Sequence, residues 1–403
     1  MVSATNSPVL ISPMEVFPGP RAFKVEEANL FFGRDREASQ VIDLLVTYQD
    51  VLLYAQSGAG KTSLINARTI PRLGIGDCHV GRVGGELPPG VHPEEISNIF
   101  VYNLIASTVT DSSKMSEARQ TTLDQYFQIP QDRENTFLIL DQFEEIFTAY
   151  PERWNDRSPF FEQLRSLLKK NPTLHVLFAI REEYMAALEC YSDLLPNQLR
   201  IRYYLQRLRA EQATAAIVGP LSQSTLNIDK NQLTNLAEKL VSSLRTVPVK
   251  TPKGIVTILG EFVEPLHLQV ICQNLVAQLK SGVTPTAKDQ PAAFLDVDHV
   301  LSEFYERAVT ATVEKSKVDE ACIRRWFDHE LITAAGTRAI VFQGEFETGG
   351  LPNSAVCVLV QANIIRGENR AGAWWFEITH DRFIGPIRRS NEEWRQACGD
   401  KYR

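Results

Sequence analysis

The apolar residues of the chain follow two spacings. Nearly unbroken runs occur at 51–55 (Val-Leu-Leu-Tyr-Ala), 136–140 (Thr-Phe-Leu-Ile-Leu) and 174–180 (Leu-His-Val-Leu-Phe-Ala-Ile), with weaker ones at 78–84 and 201–205. Short runs of this kind read as strands buried on both faces of a parallel sheet. Between them the spacing turns helical: Ala38, Val41, Ile42, Leu44 and Leu45, then residues 96–107, then Phe160, Phe161, Leu164, Leu167 and Leu168. Ser158-Pro159 supplies an N-cap and a proline at the first helical position of the last of these. The segment 70–121 is otherwise rich in Gly and Pro and reads as loop. Strands alternating with helices predict an α/β domain built on a parallel sheet.

From Arg209 the β-type runs stop. Helical patterns cover 210–218, 230–244, 263–279 and 296–313, and predict an all-helical second domain. The intervening 245–260, with Pro248, Pro252 and Gly254, reads as an exposed loop or hairpin. Beyond Val318 the order is helix (319–331), a turn at Gly336, helix (353–361), two strands (363–366 and 374–379) and a last helix (388–397). Helices followed by a small β-hairpin suggest a winged helix. The expected division is a loose tail over 1–15, an α/β domain over 16–207, a helical domain over 208–312 and a winged-helix domain over 313–403.

Composition narrows the class. A chain of 403 residues exceeds one ordinary core and suits two to four domains. The net charge of −7 argues against a protein built to coat nucleic acid or an anionic membrane. No apolar run approaches the roughly 18 residues of a membrane span, and residues 1–17 lack the basic start and apolar centre of a secretory signal. A cytoplasmic protein is expected. Cys78, Cys190, Cys272, Cys322, Cys357 and Cys398 form no CxxC pair and read as buried free thiols.

The chemistry begins where the first strand ends. Ala55-Gln-Ser-Gly-Ala-Gly-Lys-Thr62 joins that strand to a helix-forming segment, the context a phosphate-binding loop requires. Gly58 and Gly60 allow the backbone N–H groups of Ser57, Ala59 and Ser63 and their neighbours to wrap phosphate oxygens. Lys61 would reach the β- and γ-phosphates, and Thr62 would offer its hydroxyl to Mg²⁺. Ala55 stands where the usual pattern has its first glycine, at a strand end where a Cβ is tolerable. Asp141 closes the second long apolar run and would act as the Walker B acid on Mg²⁺. Glu144 or Glu145 would polarise the attacking water, and the sequence leaves the choice between them open. Arg181, ending the third run, either senses the γ-phosphate or pairs with Glu182 or Glu183. Upstream, Gly33-Arg34-Asp-Arg-Glu37 matches an element that lies across adenine and ribose in AAA+-like ATPases; it also reads as an ordinary helix start, its acids favouring the dipole.

Taken in order, Phe17-Pro-Gly-Pro-Arg-Ala-Phe23, Leu30-Phe-Phe-Gly-Arg-Asp-Arg-Glu37, the phosphate loop, Asp141-Gln-Phe-Glu-Glu145, Val263-Glu-Pro-Leu-His-Leu-Gln-Val-Ile-Cys-Gln273, Ile323-Arg-Arg-Trp326, Gly350-Leu-Pro352 and Ile378-Thr-His-Asp-Arg382 resemble the novel STAND NTPases, relatives of the NACHT and apoptotic ATPases. The resemblance spans about residues 16–391. It implies a P-loop NTPase core followed by a helical and a winged-helix domain, switching between an ADP-bound closed monomer and an ATP-bound homo-oligomer. It also implies that Pro265 packs on adenine and that His380 touches the ADP β-phosphate; without it, His380 would read as a satisfied core histidine. STAND proteins usually carry an effector before this core and a repeat sensor after it, so partners or missing flanking domains are expected to supply both. The expected function is a slow ATPase switch in bacterial signalling or antiphage defence. Two alternatives compete: a pseudo-ATPase, against which Lys61, Thr62, Asp141 and Glu144 speak, and an AAA+-like ATPase acting on nucleic acid through its winged helix. From residue 311 onward about thirteen basic and about thirteen acidic residues cancel, against the basic face the latter needs.

Overall fold

The computed structural model describes residues 16–74, 78–85, 87–108, 117–129, 135–224, 229–251, 254–280, 296–370 and 373–398. The tail expected over 1–15 lies outside them. The chain forms two compact units, Ala22–Arg207 and a second comprising Leu208–Arg403 with the segment preceding Ala22. Among the described residues no helix is long and apolar enough to cross a membrane.

The first unit opens with α1 (Asp35–Thr47), β1 (Asp50–Ala55) and α2 (Lys61–Leu64), the last prolonged by a π-turn, Ile65–Thr69. It continues through β2 (Cys78–Gly81), α3 (Ile99–Thr108), β3 (Thr136–Leu140), α4 (Arg157–Lys170), β4 (Leu174–Arg181) and β5 (Arg202–Tyr204). The strands pair in the order β2-β3-β4-β1-β5, and every pairing is parallel. Each of the three long apolar runs is a central strand, as their lack of polar alternation requires. β4 lies between β1 and β3, so Ala55, Leu140 and Arg181 end three adjacent strands on the carboxyl edge of the sheet. Ligands of open α/β sheets sit at that edge. Behind it, Phe143, Phe160, Phe161 and Phe178 are fully buried, with Phe143 edge-on to Phe178 at 4.9 Å between ring centres.

Two local expectations shift. α4 begins at Arg157, ahead of the expected Ser158 cap. The residue before it, Asp156, sends its carboxylate to the Ile99 N–H (2.9 Å) and to Arg153 (2.6 Å), so the helix start is traded for a tie to α3. β5 keeps only three residues, although Ile201 and Leu205 on either side of it still bond to β1, and the turn before it is also held from β1. There the buried Asp50 carboxylate accepts the N–H groups of Asn197 (2.7 Å) and Leu199 (3.2 Å).

The second unit contains α5 (Ala210–Ser222), α6 (Lys230–Arg245), α7 (Pro265–Lys280), α8 (Val297–Ser316) and α9 (Glu320–Trp326), the last continued by a π-turn, Phe327–Leu331. It is not all-helical up to residue 312: β6 (Thr246–Thr251) and β7 (Gly254–Leu259) pair antiparallel along their whole length. Val247, Val249, Ile255, Val256 and Ile258 carry the β-branched composition that favours strands. Val16 and Phe17 are buried in this unit's core, and the Phe17 carbonyl accepts from Gln273 Nε2 (3.1 Å).

After α9 come β8 (Val341–Phe342), β9 (Glu347–Thr348), β10 (Leu351–Pro352), α10 (Asn353–Gln361), β11 (Ile365–Arg370), β12 (Ala373–Ile378) and α11 (Ile384–Cys398). β8 adds a third strand to the β11–β12 hairpin; at two residues it is too short to show a period. α11 starts at Ile384, before the expected 388, with Pro386 in its first turn where no intrahelical N–H is needed. Arg324, 3% exposed, ties α8, α9 and α11 together through Glu306 (2.5 Å), Glu320 (2.7 Å), Ser390 (3.0 Å) and Asn391 (3.1 Å). The thiols are not uniformly buried: Cys272 is, whereas Cys190, Cys322 and Cys357 are exposed.

Candidate nucleotide site

The loop after β1 has the backbone its glycines permit. Gly58 (φ 81°) and Gly60 (φ 98°) are both left-handed, and a Cβ on either would meet nothing within 4 Å. Space is therefore not what demands glycine there; the backbone torsion is. Ser57 is half-buried and Ala59 buried. Lys61 opens α2, and its Nζ donates to the Ala55 carbonyl across the loop (3.3 Å). Burial pushes the Lys61 ammonium below its ordinary value of 10.5; Glu144 pulls it back up, Arg181 depresses it further, and Asp141 and Glu183 pull upward. A buried cation held down in this way gains from the arrival of an anion.

Thr62 Oγ1 donates to Asp141 Oδ2 at 2.9 Å, joining the start of α2 to the end of β3. Asp141 is 8% exposed, and its other oxygen accepts the Gln142 N–H (2.9 Å). Gln142 sits at φ 52°, a conformation uncommon for a side-chain-bearing residue. Phe143 follows as an anchor: its N–H reaches the Ala179 carbonyl (2.8 Å) and its ring fills the aromatic core. A carboxylate and a hydroxyl side by side are the hard oxygen donors Mg²⁺ takes, with water and phosphate completing its coordination. The pair fits that ion.

The two glutamates have different surroundings. Glu144, 7% exposed, accepts from Arg181 twice, through the guanidinium Nε (2.9 Å) and the backbone N–H (3.3 Å). Arg181 therefore takes Glu144, and not the Glu182 or Glu183 of the ion-pair alternative, as its ion-pair partner; its strand delivers it to the glutamate in the loop that follows the neighbouring strand. Glu145 is turned the other way and bound by Arg82, whose Nε donates to Oε2 (3.1 Å). Gly84 packs against it so closely that a Cβ there would lie 2.7 Å from the Glu145 Cβ. Glu144 is thus the glutamate grouped with Lys61, Asp141 and Arg181.

Around the loop, Arg34 is 3% exposed and donates to the Ala59 carbonyl (3.2 Å) and the Gln206 carbonyl (2.7 Å), with Glu37 at 3.2 Å. Burial pushes its guanidinium below the ordinary value, against the pull of Glu37. Arg34 acts here as a brace joining the loop to the end of the unit; Gly33 (φ 82°) provides the turn that sends it inward. The Ser63 hydroxyl accepts the Phe23 N–H (3.2 Å), and Asn66 Nδ2 donates to the Phe23 carbonyl (3.0 Å), so α2 and the π-turn after it clamp the segment leading to α1. The sequence pattern offered no sign of these ties.

Pro265 and His380 belong to the second unit. Pro265 opens α7. His380 Nδ1 accepts the Arg382 N–H (3.1 Å), which places the ring proton on Nε2, 3.1 Å from Glu264 Oε1. The His267 ring stands edge-on to it at 4.5 Å.

The family described as Novel STAND NTPase 1 matches residues 17–385. No curated protein matches the chain. Similar solved structures include a Walker-type ATPase of Pyrococcus abyssi (12% identity over 91% of this chain and 98% of that one, TM-score 0.45). The ORC1 protein of Aeropyrum pernix, solved in complex with DNA, is 11% identical over 96% and 98% (TM-score 0.46). ORC2 of the same organism, in ADPNP and ADP complexes, is 11% identical over 91% and 95% (TM-score 0.40).

Proposed function

The chain belongs to the Novel STAND NTPase 1 family, and on that premise we propose that it is a slow, switch-type ATPase whose bound adenine nucleotide sets its conformation and assembly. The observation that carries the reading is the Thr62–Asp141 contact beneath a left-handed glycine loop, with Lys61, Glu144 and Arg181 gathered around it. Lys61 and the loop N–H groups hold the β- and γ-phosphates. Thr62 and Asp141 would hold Mg²⁺, which would supply charge neutralisation on the phosphates. Glu144 accepts a hydrogen bond from the attacking water and takes up its proton. The water oxygen bonds to the γ-phosphorus as the bond from that phosphorus to its bridging oxygen breaks, releasing ADP and inorganic phosphate. Arg181 balances the charge that gathers on the transferred group. Arg34 keeps the loop in shape from behind.

Hydrolysis on this reading resets a signalling state, in bacterial signalling or defence, and turnover well below the roughly 10 s⁻¹ median of enzymes follows from that role. The C-terminal helices with the β8–β11–β12 sheet serve as the winged-helix part of the switch. The test compares steady-state hydrolysis with molar mass in solution under ADP and under a non-hydrolysable triphosphate. Slow turnover with a larger assembly under the triphosphate supports the switch. Fast turnover with one mass under both nucleotides refutes it.

A further inference from the structure

In the reading above, Glu144 and Arg181 have separate tasks; the structure shows them bound to each other. Both Glu144 oxygens accept from the same residue, one from the guanidinium at 2.9 Å and one from the backbone N–H at 3.3 Å. We infer that this pair is a latch: Arg181 holds Glu144 until a terminal phosphate draws the guanidinium away, so the glutamate is released for water only when a triphosphate is bound. The inference rests on the proposed nucleotide site.

Three features support it. The first is charge. A γ-phosphate carries more negative charge than a carboxylate and offers three acceptor oxygens, so it competes for a guanidinium on favourable terms. The pair is partly sheltered, with the Arg181 side chain 27% and the Glu144 side chain 10% exposed, so the competition is not washed out by solvent as it would be on an open surface. The second is mechanical isolation. Phe143 is pinned by its N–H to Ala179 and by its buried ring, and Asp141 by the Thr62 contact, so a change at Glu144 needs only its side chain to move. The third is the surrounding charge. Lys61 feels Glu144 and Arg181 with opposite sign, so drawing Arg181 toward phosphate changes the field at the loop lysine as well. A diphosphate has no group at the terminal position and leaves the latch shut, which keeps the base away from water in the product state.

The competition has a thermodynamic signature. Opening the latch draws on triphosphate binding and on no part of diphosphate binding. Affinities for ADP and for a non-hydrolysable triphosphate are therefore measured calorimetrically in the full chain, in Glu144→Gln, in Arg181→Ala and in the double variant. Glu144→Gln is expected to raise the preference for triphosphate over diphosphate by about fivefold, as expected for removal of one partly sheltered ion pair. In the Arg181→Ala background the same change is expected to leave the preference unaltered. An equal rise in both backgrounds would show mere removal of a negative charge and overturn the latch. A fall in preference in Glu144→Gln would show that Glu144 aims Arg181 at phosphate, and would overturn it too. Arg181→Lys, which keeps the charge, replaces Arg181→Ala if the latter does not fold, with a weakened version of the same coupling expected. Absence of binding to either nucleotide by the unmodified chain would instead refute the nucleotide site itself, and the latch with it.

Discussion

Lys61 is the residue on which the site's electrostatics converge. Burial depresses its ammonium; a phosphate bound against it would restore the charge, so the proposed site links nucleotide binding to lysine protonation. The sign follows from the depressed value in the free protein. Affinity is complete while Lys61 stays protonated without ligand, and falls as pH rises through its free-state value, which lies below the ordinary 10.5. The expected decline is up to about tenfold per pH unit, and titrations of ADP across the alkaline range measure it. Lys61→Arg, always charged, is expected to flatten that profile even if it binds more weakly. A profile that is flat in the unmodified chain and unchanged in the arginine variant would show that Lys61 does not meet phosphate.

At the scale of elements, the loop after β3 works because Phe143 fixes its middle. Phe143→Ala empties a fully buried ring site and is expected to cost about 3–5 kcal/mol. Phe143→Leu, measured by thermal unfolding and by hydrolysis, is expected to cost less stability yet still slow turnover, since Asp141 and Glu144 hang on either side of that anchor. The strands β1, β3 and β4 and the loop lysine were readable in sequence because each lies within one local pattern: an apolar run, then a residue type that phosphate or metal chemistry requires. The partners of the glutamates were not. Arg181 meets Glu144 across 37 residues and Arg82 meets Glu145 across 63, and only the strand order brings them together. The β6–β7 hairpin was half-readable, because its prolines and glycine mark a turn while its β-branched residues fall inside a region of helical patterns. The helix start expected at Gly-Arg-x-x-Glu is present, with α1 opening directly after Arg34; the additional bond from its guanidinium to the Ala59 carbonyl is a use that nothing in that text specifies.

For the molecule as a whole, the buried charges of the second unit serve stability. In the second unit, Arg324 is the hub of three helices, and Arg324→Met is expected to destabilise by roughly 3 kcal/mol, since it strands acceptors that are now satisfied. Burial pushes the Glu306 carboxyl up, but hydrogen bonds from Arg324 and Ser390 and the Arg324 charge more than reverse this and leave it below its ordinary 4.5. A depressed carboxyl stabilises the fold above its unfolded value, and that contribution is lost as pH falls through the folded value. Acid unfolding of the unmodified chain should therefore show a pH-dependent step below 4.5 that Arg324→Met diminishes. ADP bound at the proposed phosphate loop is expected to raise the first unit's unfolding temperature by mass action. The most direct test of the central claim is a calorimetric titration of ADP and of a non-hydrolysable ATP analogue into the unmodified chain and into Lys61→Ala. One saturable site per chain for each nucleotide, weakened at least about 100-fold in the variant, is the expected result; equal affinities in the two proteins, or no binding in either, would contradict a phosphate-binding loop at Lys61.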